Sequence, residues 1–346
     1  MAKAVKTSPR KQISVDLALQ GGGSHGAFTW GVLDRLLEEE RLTIEAISGT
    51  SAGAMNAAVL ADGYLDGGRD GARAALEKFW RKVSHAARFS PLRRTPLDVL
   101  FGRWTLDHSP AYLMMDMVAR VVSPYLLNPE GGNPLSDILD ECIDFERLAK
   151  SSIRVFITAT NVHTGRGRVF RNTELTADVL LASACLPTLY HAVEIDGESY
   201  WDGGFSGNPT LTPLIEDSAA EDTILVQINP VERRTVPKTA RDIQSRLNEI
   251  SFNAVLLKEL RMAAMLRKVA DPGSEEGARW ASMRLHRIAS DVMLDLGHSS
   301  KLNAEWNFLA KLRDDGRAAA SAFLDAHSED LGHRSSLDLD SLTDLD

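Results

Sequence analysis

Three short stretches hold the residues whose types and spacing suit chemistry. The first is LALQGGGSHGAF, residues 17–28, which sets Gly21, Gly22, Gly23, Ser24, His25 and Gly26 between an apolar run and a helical pattern. Gly21, Gly23 and Gly26 fit the G-x-G-x-x-G spacing that cradles a dinucleotide pyrophosphate. The same turn can instead present backbone N–H groups to the oxyanion that develops in acyl transfer. The second is GTSAG, residues 49–53, a G-x-S-x-G between a strand pattern and a helix pattern. In that context a tight turn thrusts the Ser51 Oγ outward. Gly49 and Gly53 admit backbone where a Cβ would block it, and the helix that Ser51 opens favours negative charge at its N-terminus. The third is Asp202-Gly203-Gly204, a carboxylate beside a glycine turn after the apolar pair Tyr200-Trp201.

The dinucleotide reading also needs an acid about 20 residues past the glycines, at the end of the second strand. Glu45 falls inside that strand, and Ser48 and the serine turn occupy the place where the acid belongs. A P-loop is excluded, because Gly26 is followed by Ala27-Phe28 rather than by Lys and Ser or Thr. No His, Cys or carboxylate group has metal-ligand spacing, so neither a metal nor a cofactor is expected. Cys142 and Cys185 make no disulfide framework. Asp16, in the first strand, reads as a salt-bridged edge residue, while Ser24, Ser183 and Cys185 read as small residues in tight places.

The elements that must carry these residues follow from periodicity. ISVDLALQ is a strand stopped by glycine, and Phe28, Val32, Leu33, Leu36 and Leu37 then share a helix face. LTIEAIS repeats the strand, and AGAMNAAVLADG is a small-residue helix ended by Gly63. Strand, glycine turn and helix, twice over, imply a parallel sheet covered by helices. A further helix is expected at 73–83. Residues 90–134 are rich in proline and aromatic residues and read as an irregular insertion, a lid or a plain surface loop, with one helix in YLMMDMVARVV. IRVFITATNV is a core strand paired to GRVFR through HTGRG. TADVLLASACLP is a short helix, HAVEIDGESYWD two strands around Asp196-Gly197, DTILVQIN a buried strand, 239–269 a long helix, MRLHRIAS a late strand, and 301–324 a closing helix.

The chain has 346 residues, 44% of them hydrophobic and 25% charged, which suits a globular protein with a sizeable core. A net charge of −9 argues against a nucleic-acid binder. Residues 1–12 form a basic head with Lys3, Lys6, Arg10 and Lys11, and 329–346 an acidic tail with Glu329, Asp330, Asp338, Asp340, Asp344 and Asp346. Both are expected to be flexible. No run approaches the roughly 18 apolar residues of a membrane span, and the head lacks a signal peptide's apolar region. The expected location is the cytoplasm, with peripheral membrane contact open.

Taken in order, the glycine turn, the serine elbow and the Asp-Gly-Gly resemble the patatin-like phospholipase family. Residues 21–26 are similar to its oxyanion loop, 49–53 to its nucleophile elbow, 202–204 to its catalytic aspartate motif, and ASACLP (182–187) to a further block. The resemblance covers 13–229. It implies a three-layer α/β/α hydrolase with a mainly parallel sheet and a catalytic domain over 13–230. The C-terminal third carries no assignable motif, and its own helix and strand patterns read as a mostly helical extension over 231–328 packed on the core. The resemblance further implies that Ser51 attacks a lipid ester with Asp202 as the direct base, without a histidine. His25 stands where the family commonly has Arg or Lys, which leaves the loop's charge in question.

A carboxylate near its reference pKa of about 4 is a poor base, so Asp202 needs a dry site, which Trp201 and neighbouring apolar groups are expected to supply. A Ser–acid–His triad is the competitor, since His286, His298, His327 and His333 all follow Asp202. The expected substrate is a phospholipid or other acyl ester. Leu247, Ile250, Ala254, Leu257 and Met265, flanked by basic residues, form a stripe suited either to anionic lipid or to packing on the protein's own core or on a second copy, so self-association stays open. A non-catalytic lipid- or partner-binding protein on the same fold is the alternative.

Overall fold

The computed structural model describes residues 12–339; the basic head up to Lys11 and the tail from 340 on lie outside the described residues. In chain order, β1 (Ile13–Leu19), α1 (Gly26–Leu36), β2 (Leu42–Gly49) and α2 (Ala52–Ala86) realise the repeated strand–turn–helix pattern. The insertion folds as α3 (Pro96–Leu100), α4 (Pro110–Ala119) and α5 (Pro124–Leu127), and α6 (Leu135–Cys142) and α7 (Phe145–Leu148) return the chain to the core. Then come β3 (Arg154–Asn161), β4 (Gly167–Arg171), α8 (Ala177–Ser183), β5 (Val193–Ile195), β6 (Glu198–Asp202), α9 (Thr212–Asp217) and β7 (Asp222–Val226). The last region adds α10 (Ala240–Val269), α11 (Glu275–Ser282), β8 (Arg284–Ile288) and α12 (Trp306–His327).

The strands form one eight-stranded sheet ordered β5-β6-β3-β2-β1-β7-β8, with β4 also paired to β3. The pairs β1–β2, β2–β3, β1–β7 and β7–β8 are parallel, and β3–β4, β3–β6 and β5–β6 antiparallel. β1 is buried from Val15 onward, as a central strand covered on both faces must be. Its alternation sends Val15, Leu17 and Leu19 into a core with α1, α2 and α12, and Ala18 into a second core with α9, α10 and α11. The result is a three-layer α/β/α sandwich with a largely helical C-terminal region.

Four sequence expectations change. The helix after Ser51 does not stop at Gly63; it continues to Ala86, broken only by non-helical Gly67 and Gly68, so it absorbs the separate helix expected at 73–83. The insertion holds three short helices rather than one, each with proline in its first turn, where the missing N–H costs nothing. Residues 329–339 lie along the sheet instead of forming free tail: Leu337 N–H donates to Leu285 O (3.1 Å), Ser335 Oγ accepts from Leu285 N–H (3.1 Å), and Leu331 and Leu339 are buried. Asp16 is not at an edge. It is fully buried in the central strand, where Ser218 Oγ donates to it (2.7 Å), and burial pushes its pKa up to about 8.

Candidate active site

Ser51 sits between the C-terminal end of β2 and the first turn of α2, with φ 53° and ψ −121°. A left-handed φ on a non-glycine residue costs on the order of 1–3 kcal/mol and persists where the surroundings enforce it. They do so here. The Ser51 N–H donates to Ser183 Oγ (2.9 Å), whose hydroxyl donates to Thr158 O on β3 (2.7 Å). Thr50 Oγ1 donates to Gly207 O (2.7 Å), and Gly53 N–H to Thr50 O (2.8 Å).

The glycine loop lies directly over this turn. A Cβ on Gly21 would come within 2.6 Å of Thr50 O and 2.8 Å of Ser51 Cβ, so only glycine fits there. The Gly21 N–H donates to Asn208 Oδ1 (2.7 Å), and Gly21 O accepts from Asn229 Nδ2 (2.8 Å). Gln20 anchors the preceding residue: its Oε1 accepts from the amides of Ile228 (2.9 Å) and Asn229 (2.8 Å), and its Nε2 donates to Asn253 Oδ1 (2.9 Å). The chain then turns through Gly23–His25 into α1, with His25 N–H on Gly22 O (3.2 Å) and Gly26 N–H on Gly23 and Ser24 carbonyls. Among the described residues the amides of Gly22 and Gly23 have no protein acceptor.

Asp202 ends β6 with 2% exposure. Its Oδ1 accepts from Gly204 N–H (2.7 Å), its own N–H donates to Cys185 O (2.8 Å), and Thr160 Oγ1 donates to its carbonyl (2.8 Å). Burial pushes its pKa up to about 7, against the opposing pull of the Gly204 amide, the Ser51 hydroxyl beside it and the charge of Lys301. Trp201 is not what dries this carboxylate. Strand alternation turns it to the face opposite Tyr200 and Asp202. The apolar cover is Phe252 of α10, against which Gly204 is pressed and which packs on Phe205 at 5.4 Å between ring centroids.

His25 is buried, with Nε2 2.8 Å from Ser300 Oγ, and its pKa is held well below the usual value by burial and by the nearby Lys301. It is a neutral ring and brings no charge to the loop. The histidines that follow Asp202 are occupied elsewhere. His286 is enclosed between Asp222 Oδ1 (2.9 Å) and Ser336 Oγ (3.0 Å), with Asp222 at the N-terminal end of β7, whereas Gly21 and Ser51 follow the C-terminal ends of β1 and β2. His327 pairs with Asp330 (2.9 Å), and His298 lies beside Asn248. No hydrogen bond joins His286, His298, His327 or His333 to Ser51 or Asp202 among the described residues.

The sequence reading missed Ser183 as a support for the elbow, Asn208 and Asn229 as holders of the loop, and Lys301 altogether. Only Ser183 carried a signal, its place in the ASACLP block. The structure thus gathers Ser51, Asp202 and residues 21–26 around one point where the parallel strands end.

Residues 17–215 match the family model of the patatin-like phospholipases. The chain belongs to that family. The match includes the glycine loop, the serine elbow and Asp202, and it ends before α10. The patatin-like phospholipases are lipid acyl hydrolases, so this chain carries a lipid acyl hydrolase fold. Among solved structures it is similar to VipD from Legionella pneumophila, with 15% identity and a TM-score of 0.42 over 92% of this chain and 68% of that one. No curated protein matches the chain significantly. No helix among the described residues is long and apolar enough to cross a membrane.

Proposed function

We propose that this protein hydrolyses acyl esters of lipids through a Ser51 acyl-enzyme, with Asp202 as general base and the glycine loop as oxyanion site. The observation that supports this most is a serine in a left-handed turn whose hydroxyl faces a buried carboxyl with its pKa near 7. Asp202 takes the Ser51 proton as Oγ bonds to the ester carbonyl carbon. The amides of Gly22 and Gly23 receive the oxyanion. As the tetrahedral adduct collapses, the leaving alcohol takes the proton back from Asp202, and water then repeats both steps to free the fatty acid. A base with a pKa near the working pH combines the unprotonated form with useful basicity.

A lipid substrate implies a surface to reach it from, and the insertion with the two residues just before it supports that reading. Phe89 is 91% exposed, Leu100 76%, Phe101 66% and Val121 80%, with exposed Arg88, Arg93 and Arg103 among them. Tyr125 of α5 stacks on His191 at 4.0 Å, in the segment leading to β5 and β6. Leu247, Ile250, Leu257 and Met265 of α10 face outward, whereas Leu256, Leu260, Ala263 and Ala264 fill the core, and Arg241 at the start of α10 lies 3.8 Å from Asp107 of the insertion. Exposed apolar groups ringed by arginines suit the interface of an anionic bilayer.

Fluorophosphonate labelling and ester turnover of the wild type, Ser51→Ala, Asp202→Asn and His286→Gln test the chemistry. The expected result is no labelling of Ser51→Ala, a kcat loss of roughly 10²–10⁴ in Asp202→Asn, the range of a general base, and near-normal turnover in His286→Gln. An equal loss in a folded His286→Gln would replace the dyad with a triad. A wild type that stays unlabelled with and without vesicles would leave the lipid- or partner-binding reading instead.

A further inference from the structure

Lys301 lies in the turn His298–Leu302, beyond the segment that matches the family. Its backbone carbonyl packs against Gly23, and its ammonium is enclosed by protein although the residue as a whole is partly accessible. The Nζ donates to Asn229 Oδ1 at 2.6 Å and stands 6.0 Å from the Phe252 ring that covers Gly204. Asn229 in turn donates through Nδ2 to Gly21 O (2.8 Å). Gly21 C=O and Gly22 N–H belong to one planar trans peptide, so fixing the carbonyl on one side aims the amide to the other.

We propose that Lys301 is a positioning residue of the catalytic centre, acting through Asn229 and the Gly21–Gly22 peptide to orient and polarise the Gly22 amide toward the oxyanion. The inference rests on the acyl-transfer reading above. Each link is a donor whose acceptor belongs to the next group, and such chains strengthen one another in a low-dielectric interior. The glycine loop brings no charge of its own, because His25 is neutral. During acylation Asp202 takes up a proton while negative charge develops on the substrate oxygen, and the Lys301 charge, carried through Asn229 and the Gly21 carbonyl, strengthens the Gly22 amide as a donor to that oxygen.

The groups facing Lys301 are Asp202, Glu249, Arg233, His25 and His298. Burial brings the Lys301 pKa down to about 8, and the acids hold it from falling further. His298 is held at about 4 and His25 lower than usual, so neither ring titrates above pH 7. The wild-type kcat is therefore expected to rise as Asp202 ionises near 7 and to fall as Lys301 loses its proton near 8.

The test is kcat, KM and the pH profile on a water-soluble short-chain ester for the wild type, Lys301→Met, Lys301→Arg, Asn229→Ala and Lys301→Met/Asn229→Ala. Lys301→Met and Asn229→Ala are each expected to lower kcat about 10²-fold, the cost of one oxyanion donor, with KM changed less than about threefold. The double variant is expected to be no worse than the poorer single, because both break the same relay. Lys301→Arg, which keeps its proton, should retain turnover at pH 9, where the wild type declines. A Lys301→Met kcat within about threefold of the wild type, or additive losses in the double variant, overturns the proposal. If Lys301→Met does not fold, the arginine variant decides: an alkaline limb identical to that of the wild type sinks the idea. Turnover that survives Ser51→Ala defeats the underlying reading instead, whatever Lys301 does.

Discussion

Asp202 is asked to be charged when it acts and buried where it acts, and the two requirements oppose each other. Removing a carboxylate from water favours its protonated form, which makes it a base strong enough for a serine hydroxyl. The same effect makes it a cost to the fold. Its folded pKa, about 7, lies above the ordinary value of 3.8, so the native state holds a proton that the unfolded chain has released. The stability this contributes is fully present below about pH 4 and is lost as the pH rises through 7. Asp202→Asn removes that dependence. The variant is expected to be strongly impaired in turnover yet more stable than the wild type at pH 8 by about 2–4 kcal/mol, and indistinguishable from it near pH 4. Urea unfolding at the two pH values measures the difference, and Asp16, also raised, cancels in the comparison. Equal stability at pH 8 would mean that Asp202 is not a strained carboxylate.

The elements show which features the sequence carries locally and which it does not. β1, β2, β3, β7 and β8 were legible because their apolar runs are bounded by glycine or polar residues, and the three motifs because each lies within a few residues at a strand end. α2 was misread because Gly63 serves helix packing rather than termination: its backbone lies against Gly71 and Ala72. Asn229 and Lys301 were invisible because no local pattern marks an asparagine or lysine that meets a glycine loop more than two hundred residues away. The insertion was read as a lid or a surface loop, but which of its apolar side chains stand exposed was not legible. That exposure predicts a function at the scale of the element. Phe89→Ser, Leu100→Ser and Phe101→Ser together should weaken binding to vesicles containing anionic phospholipid by tenfold or more, since each removes a sizeable apolar area from the contact, roughly 1.5–3 kcal/mol per residue if fully buried. Turnover of a soluble ester should change less than about twofold. Sedimentation with vesicles measures the first and a spectrophotometric assay the second. Vesicle binding unchanged by the triple variant would remove the insertion from the membrane surface.

The molecule as a whole is held as one unit by its C-terminal region. α12 crosses α1 so closely that Phe28 O stands in the space a Cβ on Gly316 would need, with Val32 N 3.0 Å from it. Around this contact Trp30 lies 6.0 Å from Trp306 between rings, Phe308 stacks on Trp104 at 5.2 Å, and Arg317 pairs with Asp34 and Glu38. β8 extends the sheet from the same region; Ser335 and Leu337 bond to Leu285 of β8, and Gly332 N–H donates to Asp222 Oδ1 of β7 (2.9 Å). α1 begins at Gly26, so any displacement of α12 is transmitted to the glycine loop and to His25, whose ring meets Phe308 edge-on at 6.3 Å. Gly316→Ala forces the two helices apart and is expected to cost about 1–3 kcal/mol, the range for overpacking a close interface. If the chain is one cooperative unit, tryptophan fluorescence and fluorophosphonate labelling of Ser51 should lose their native signals at one shared, lowered urea midpoint. Were α12 an appendage on an independent catalytic domain, fluorescence would change at low urea while labelling held to the wild-type midpoint. The placement of Asn253, Phe252 and Lys301 beside the glycine loop and the Asp202 turn favours the first outcome, because the region beyond residue 230 supplies the contacts that keep the site assembled.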